Sequence, residues 1–150
     1  MANATRATHA NLHTIYLFDW GDTLMVDIPG MTGKMCDWTT IMLVEGAAAT
    51  LRQLSQRAQL YIATGAADSS EQDVQAAFRR GGLDRYLNGY FCSANLGEVK
   101  GSTAFLAAIM RQLDAHPEQI CVVGDSFKKD ILPALALGIK AVWLCPLPAE

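Results

Sequence analysis

No run of basic residues in this 150-residue chain is longer than a pair such as Lys128-Lys129, and the formal net charge is −3. Nucleic acids and anionic membrane surfaces recruit proteins through clustered Lys and Arg, so neither is an expected partner. Absent too is any apolar stretch approaching the roughly 20 residues that a membrane-spanning helix needs. Met1 to His13 lacks the apolar segment of a secretory signal, which makes the cytoplasm the expected address. The four cysteines, Cys36, Cys92, Cys121 and Cys145, include no C-x-x-C spacing, which argues against a zinc framework. Most of them lie in or beside apolar runs, where reduced cysteine acts as a small hydrophobe. Internal repeats, linkers and low-complexity tracts are missing. What remains is a chain with 51% hydrophobic residues, enough for one domain with a real core. The expected organisation is a flexible tail over residues 1–12 and a single domain over 13–150.

Strand-like and helix-like stretches alternate along that domain. An apolar strand over about 13–19 is followed by an irregular stretch to Thr40 and a helix over 45–57, apolar at Ala47, Leu51 and Leu54. A strand over 59–63 comes next. Asp68-Ser69-Ser70-Glu71 has the spacing of a capping box and opens a helix that stops at Gly81-Gly82. A short strand over 90–92, a helix over 102–115 with Leu106, Ile109, Met110 and Leu113 on one face, and a strand over 119–123 complete the middle of the chain. A helix over 130–137, with Pro133 in its first turn, and a strand over 139–144 close it. Parallel strands need helix-length crossovers, so the pattern predicts an α/β fold of three layers with a mainly parallel five-stranded sheet.

Two of these strands end on carboxylates. Ile15-Tyr16-Leu17-Phe18 runs into Asp19-Trp20-Gly21-Asp22-Thr23-Leu24, and Ile120-Cys121-Val122-Val123 runs into Gly124-Asp125-Ser126, with Asp130 following. In a parallel sheet, chemistry gathers just past the C-terminal strand ends, and two carboxylates converging there suit a divalent metal. Between them, Thr64 follows the strand Leu60-Tyr61-Ile62-Ala63, and Lys100 precedes the helix that starts at Ser102.

These four segments, in this order, resemble the motifs of the haloacid dehalogenase-like hydrolases, and the resemblance covers about 14–144. Response-regulator receivers also use an aspartate, a threonine, a lysine and a metal-binding acid, but there the acidic pair comes first. The resemblance implies a Rossmann-like fold and a magnesium-dependent phosphatase acting on a phosphorylated substrate. It implies Asp19 as the nucleophile of an aspartyl-phosphate mechanism, and a Mg2+ site built from Asp19, the Gly21 backbone carbonyl and Asp125, supported from behind by Asp130. It further implies Thr64, Gly65 and Lys100 as holders of the phosphoryl group. Each residue also has a plainer reading: Thr64 as a turn cap, Lys100 as a solvated lysine at a helix start, Asp130 as an N-cap. The alternative function is a catalytically weakened phosphate- or metal-binding domain serving in regulation.

Gly21 departs from the family pattern, which usually has an aspartate there as general acid and base. Asp22 lies one position late, either swung inward to replace it or capping a turn. With no acid, the rate is expected to fall steeply as the leaving-group pKa rises. Leu24 to Thr64 is also too short for a cap domain; residues 25–41 have the length of a flap. Its Met25, Met31, Met35 and Trp38, with Met42 just beyond, read as a lid, as a homodimer contact or as packing on the core.

Overall fold

Five short strands alternate with helices in chain order, and every pairing between them is parallel. The computed structural model describes residues 15–145; the expected tail over 1–12 lies outside them. β1 (Ile15–Phe18), β2 (Gln59–Ala63), β3 (Gly89–Phe91), β4 (Ile120–Gly124) and β5 (Lys140–Trp143) form one sheet in the order β3-β2-β1-β4-β5. The chain therefore builds outward from β1 in one direction, then returns to β1's other side. β1 and β4 flank the point where the winding reverses, the place where open α/β sheets hold their ligands.

Alternation along the strands divides the core into two layers. Phe18, Leu60, Ile62, Cys121 and Val123 pack under α1 (Ala47–Ser55) and α2 (Glu71–Arg80), against Leu51, Val74 and Phe78. Ile15, Leu17, Ala63, Ile120 and Val122 face the other way. They pack with Phe105 and Ile109 of α4 (Thr103–Leu113) and Ala134 of α5 (Leu132–Ala136). A single-turn helix, α3 (Ser93–Leu96), follows β3. The thiols of Cys92 and Cys121 are buried and unlinked, so these two serve the core as hydrophobes.

Two helix starts differ from the sequence expectation. The capping box sits on Ser70 and Asp73 rather than on Asp68 and Glu71: Ser70 Oγ accepts from the Asp73 N–H at 3.2 Å, and the Asp73 carboxylate accepts from the Ser70 N–H at 3.0 Å. The same three-residue spacing occurs twice in this stretch, and the later copy lies directly before the first buried helical residue, Val74. Asp130 does not cap its helix. Ser126 does, accepting from the Lys129 N–H at 3.2 Å, and a wide π turn over Phe127–Ile131 precedes α5. Pro133 has no N–H to offer the Lys129 carbonyl four residues back, so the preceding turn has no ordinary α-helical bond to hold it tight.

The segment over 25–41 leaves and re-enters the domain through a pinched neck. Val26 N–H donates to the Met42 carbonyl and Val44 N–H to the Leu24 carbonyl, at 2.8 and 2.9 Å. Beyond the neck it lies back on α2. Arg80 donates to the carbonyls of Cys36 and Trp38, and Lys34 pairs with Asp73 at 2.9 Å. Trp38 is only 7% exposed, with its indole N–H shared between the carbonyls of Thr32 and Gly33. Met25 is fully buried and Met35 packs on the core beneath α2, whereas Met31 is half-buried and Met42 half-exposed. Of the three sequence readings, packing describes Met25, Met35 and Trp38. Trp38→Ala is accordingly expected to cost about 3–5 kcal/mol, as large-to-small core changes do. Denaturant melts should show that loss with the elution volume on sizing chromatography unchanged.

Candidate functional site

Parallel register delivers the site residues to a common edge. Phe18 is paired with Ile62 on one side and Val123 on the other, so Asp19 emerges level with Ala63 and Gly124. Thr64 and Asp125 are each the next residue along their strands. The Asp19 N–H is held by the Val123 carbonyl at 2.9 Å and the Thr64 N–H by the Phe91 carbonyl at 2.9 Å, which locks the strand ends together.

Lys100 arrives from the loop before α4 and occupies the middle of this edge. Its side chain is only 8% exposed, and its ammonium donates at 2.7 Å to each of three acceptors: Asp19 Oδ1, Asp130 Oδ1 and the Ala63 carbonyl. An ammonium has three donors, and here all three are used. The plainer reading of a solvated lysine is therefore overturned by burial and by these contacts. Asp130, 2% exposed, takes Lys100 on one oxygen and the Ser126 N–H on the other at 3.1 Å. Its position depends on Gly124: a Cβ there would fall 2.3 Å from Asp130 Oδ2 and 2.7 Å from Asp130 Cβ, so only glycine lets the carboxylate lie across the strand.

Asp125 and Asp19 face each other. Thr23, buried although it lies in a loop, aims its hydroxyl at both, 3.2 Å from Asp125 Oδ1 and 3.4 Å from Asp19 Oδ2. Burial, followed by the adjacent Asp19 carboxylate, raises the Asp125 carboxyl to about 6. Burial also opposes the charge on Asp19, but Lys100 and the hydrogen bonds from its neighbours outweigh it and hold this carboxyl below the usual range. Burial pushes Asp130 upward against the pull of Lys100. Asp19 is thus kept ionised while Asp125, beside it, resists ionisation, as two carboxylates sharing a site do.

The donor set tests the expected metal. One oxygen from each of Asp19, Asp125 and Asp130 lies within 4.8 Å of the others. A set made only of hard carboxylate oxygens fits a cation such as Mg2+ better than zinc or copper. Both Asp130 oxygens are already engaged by Lys100 and Ser126, so Asp19 and Asp125 are the acids left to hold an ion directly.

Thr64 is buried and its Oγ1 accepts from the Ala66 N–H at 3.1 Å, so the turn-capping reading is realised. It nevertheless lines the open depression at the sheet edge together with Gly65, Asp19 and Lys100. Gly65 lies against the lysine stem, where a Cβ would approach Lys100 Cβ to 3.3 Å. Asp22 is exposed in a left-handed conformation, φ +58°, and its Oδ1 accepts from the Asp27 N–H at 3.0 Å. The sequence reading gave no role to Thr23, Gly124 or Asp27. For the first two the signal was present, a hydroxyl four residues past one acid and a glycine directly before the other; for Asp27, inside an irregular loop, there was none.

Two expectations follow. Between about pH 4 and 6 the folded metal-free protein keeps a proton on Asp125 that an unfolded chain, with its carboxyl near 3.8, has released. Stability must then fall as pH rises through that window and level off above it, with Asp130 adding to the same trend. Melts in chelator over this range should show the slope, and Asp125→Asn should make it shallower. Lys100→Gln, in turn, strands the buried Asp130 carboxylate and the half-buried Asp19 carboxylate, and denaturant titration should register a loss of about 3–5 kcal/mol.

Comparison with known proteins bears on the same residues. A family model described as haloacid dehalogenase-like hydrolase matches residues 32–138, which include Thr64, Lys100, Asp125 and Asp130. No curated protein matches the chain. Among solved structures, an uncharacterised protein from Listeria monocytogenes is similar with a TM-score of 0.79 at 21% identity, covering 91% of this chain and 84% of that one. YfnB from Bacillus subtilis, described as a HAD-hydrolase bound to magnesium, gives 0.71 at 17% identity over 91% and 90%. A predicted phosphoglycolate phosphatase from Haemophilus somnus gives 0.70 at 17% identity over 88% and 85%. At these identities the likeness speaks to the fold. The parallel sheet and the matched family model agree on one assignment: the chain belongs to the haloacid dehalogenase-like hydrolases.

Proposed function

We propose that the protein is a magnesium-dependent phosphohydrolase that works through an aspartyl-phosphate on Asp19. The observation that carries this reading is the Asp19 carboxylate itself, held at the end of the central strand by Lys100 and facing Asp125. A phosphate monoester resists attack because nucleophile and substrate are both anionic. The residues around Asp19 answer that difficulty. The Lys100 ammonium neutralises part of the charge and fixes one carboxylate oxygen. Thr64 and Gly65, on the rim of the depression, are placed to meet phosphoryl oxygens with a hydroxyl and a backbone N–H. Bound by Asp19, the Gly21 carbonyl and Asp125, a divalent ion would supply the remaining positive charge.

In this scheme the Asp19 carboxylate forms a bond to phosphorus as the bond to the leaving oxygen breaks, and water then cleaves the acyl phosphate to regenerate Asp19. Asp130 does not touch the reacting atoms. It keeps Lys100 aimed at Asp19, and Thr23 does the same for the facing oxygens of Asp19 and Asp125. The magnesium-bound neighbour and the neighbour described as a phosphatase support the reading.

The test is phosphate release from an aryl phosphate with and without Mg2+. Wild type should need the ion, and Asp19→Asn should lower turnover by about 10³-fold or more while the far-UV dichroism stays unchanged. Undiminished activity in that variant would overturn the covalent scheme. Magnesium binding with no turnover at all would point instead to a binding module.

A further inference from the structure

Gly21 leaves a gap where the proton-transfer group of this mechanism ought to stand, and Asp27 lies beside that gap. Although six residues later in the chain, Asp27 returns to the site because the loop doubles back on its narrow neck. A side chain at position 21 would place its Cβ 3.8 Å from the Asp27 Cβ, in ordinary van der Waals contact. Asp27 lines the same depression as Asp19, Asp22, Thr64 and Lys100. Two contacts fix its backbone: Asp22 Oδ1 accepts the Asp27 N–H at 3.0 Å, and the Val26 N–H next to it is tied to the Met42 carbonyl at 2.8 Å.

We propose that Asp27, delivered by this loop, is the general acid and base of the reaction, and that Asp22 is the positioning residue that holds it there. The inference rests on the phosphohydrolase reading above. It also separates the two nearby acids by their geometry. Asp22 has one carboxylate oxygen committed to the turn and a backbone at φ +58°, so it acts on the loop. The Asp27 side chain is exposed and free of any such backbone duty among the described contacts. In the first step the Asp27 carboxylic acid gives its proton to the leaving oxygen as the bond from that oxygen to phosphorus breaks and the bond from Asp19 forms. In the second, the attacking water gives a proton to the Asp27 carboxylate as its oxygen bonds to phosphorus and the bond to Asp19 breaks. The proton count closes, and Asp27 ends as it began.

The steep leaving-group dependence expected from Gly21 alone is then replaced by a shallow one in wild type. Asp27→Asn should reduce kcat on alkyl phosphates by about 10²-fold or more with KM little changed, and reduce it much less in the bond-breaking step on aryl phosphates. Aryl substrate should give a burst of released phenol, and intact mass should show phosphorylated protein accumulating. Asp22→Asn should shift the same dependence in the same direction by a smaller factor. A second readout needs neither metal nor turnover. In the metal-free protein, Gly21→Asp puts two carboxylates in one place, so it should lower the melting temperature with Asp27 present and lower it much less in an Asp27→Asn background. The double variant should recover alkyl turnover, because the carboxylate then stands at position 21. Alkyl turnover and leaving-group dependence unchanged in Asp27→Asn would overturn this inference alone. A wild type inert toward aryl and alkyl phosphates alike would overturn the phosphohydrolase reading, and this inference with it. A Gly21→Asp melting loss indifferent to residue 27 would show that the two side chains do not meet.

Discussion

One buried ammonium organises the C-terminal edge of this protein's sheet. Lys100 bonds to Asp19, Asp130 and the Ala63 carbonyl, which belong to or follow the first, fourth and second strands. A charge so deeply buried is tolerable only when each donor finds an acceptor and opposite charge stands close by. Both conditions are met here. The consequence runs outward: Asp19 is held ionised, Asp130 is drawn in beneath the strand end, and Ser126 is bound to Asp130's second oxygen. Two strand ends and the helix start after β4 are thereby tied to one nitrogen atom.

That arrangement leaves Asp125 as the unbalanced member of the site. It faces Asp19 with a threonine hydroxyl between them, and burial with this neighbour raises its carboxyl to about 6. The lysine bonds to one oxygen of Asp19, and the other oxygen faces Asp125 across the Thr23 hydroxyl. A site can hold this tension because the rest of the domain is a well-packed sheet between two helical layers, whose burial offsets a local electrostatic cost. Glycines mark where the backbone had to give way. Gly124 admits the Asp130 carboxylate across its strand, Gly65 admits the lysine stem, and Gly21 leaves open a volume that borders Asp27.

The loop over 25–41 shows how an irregular segment becomes part of the architecture. It has almost no regular structure, yet its neck is closed by paired backbone bonds and its body is fastened to α2 through Arg80 and Asp73. Trp38 and Met25 fill space beneath it. Fastening one side of the loop to the core leaves the other side, with Asp27, at the mouth of the site.

Much of this was legible in the residues themselves. Apolar runs ending in Asp19, Thr64 and Asp125 named three of the strands and the residues at their C-terminal ends, since hydrophobic patterning and the C-terminal edge of a parallel sheet are properties of sequence order. The helix at 103–113 followed from its apolar face in the same way. Sequence could not choose between two capping boxes of equal spacing, because the choice depends on which following residue is buried. It could not tell a solvated Lys100 from a buried one, or a lid from a packed Trp38, because burial is decided by what comes to lie opposite. Gly21 read as a simple absence for the same reason. Residue types and strand order determined the fold and the acids of the site; tertiary structure alone decided which charges are buried together and that Asp27 lies beside position 21, because contact between residues that are not chain neighbours is set by how strands pair and loops return and not by local sequence.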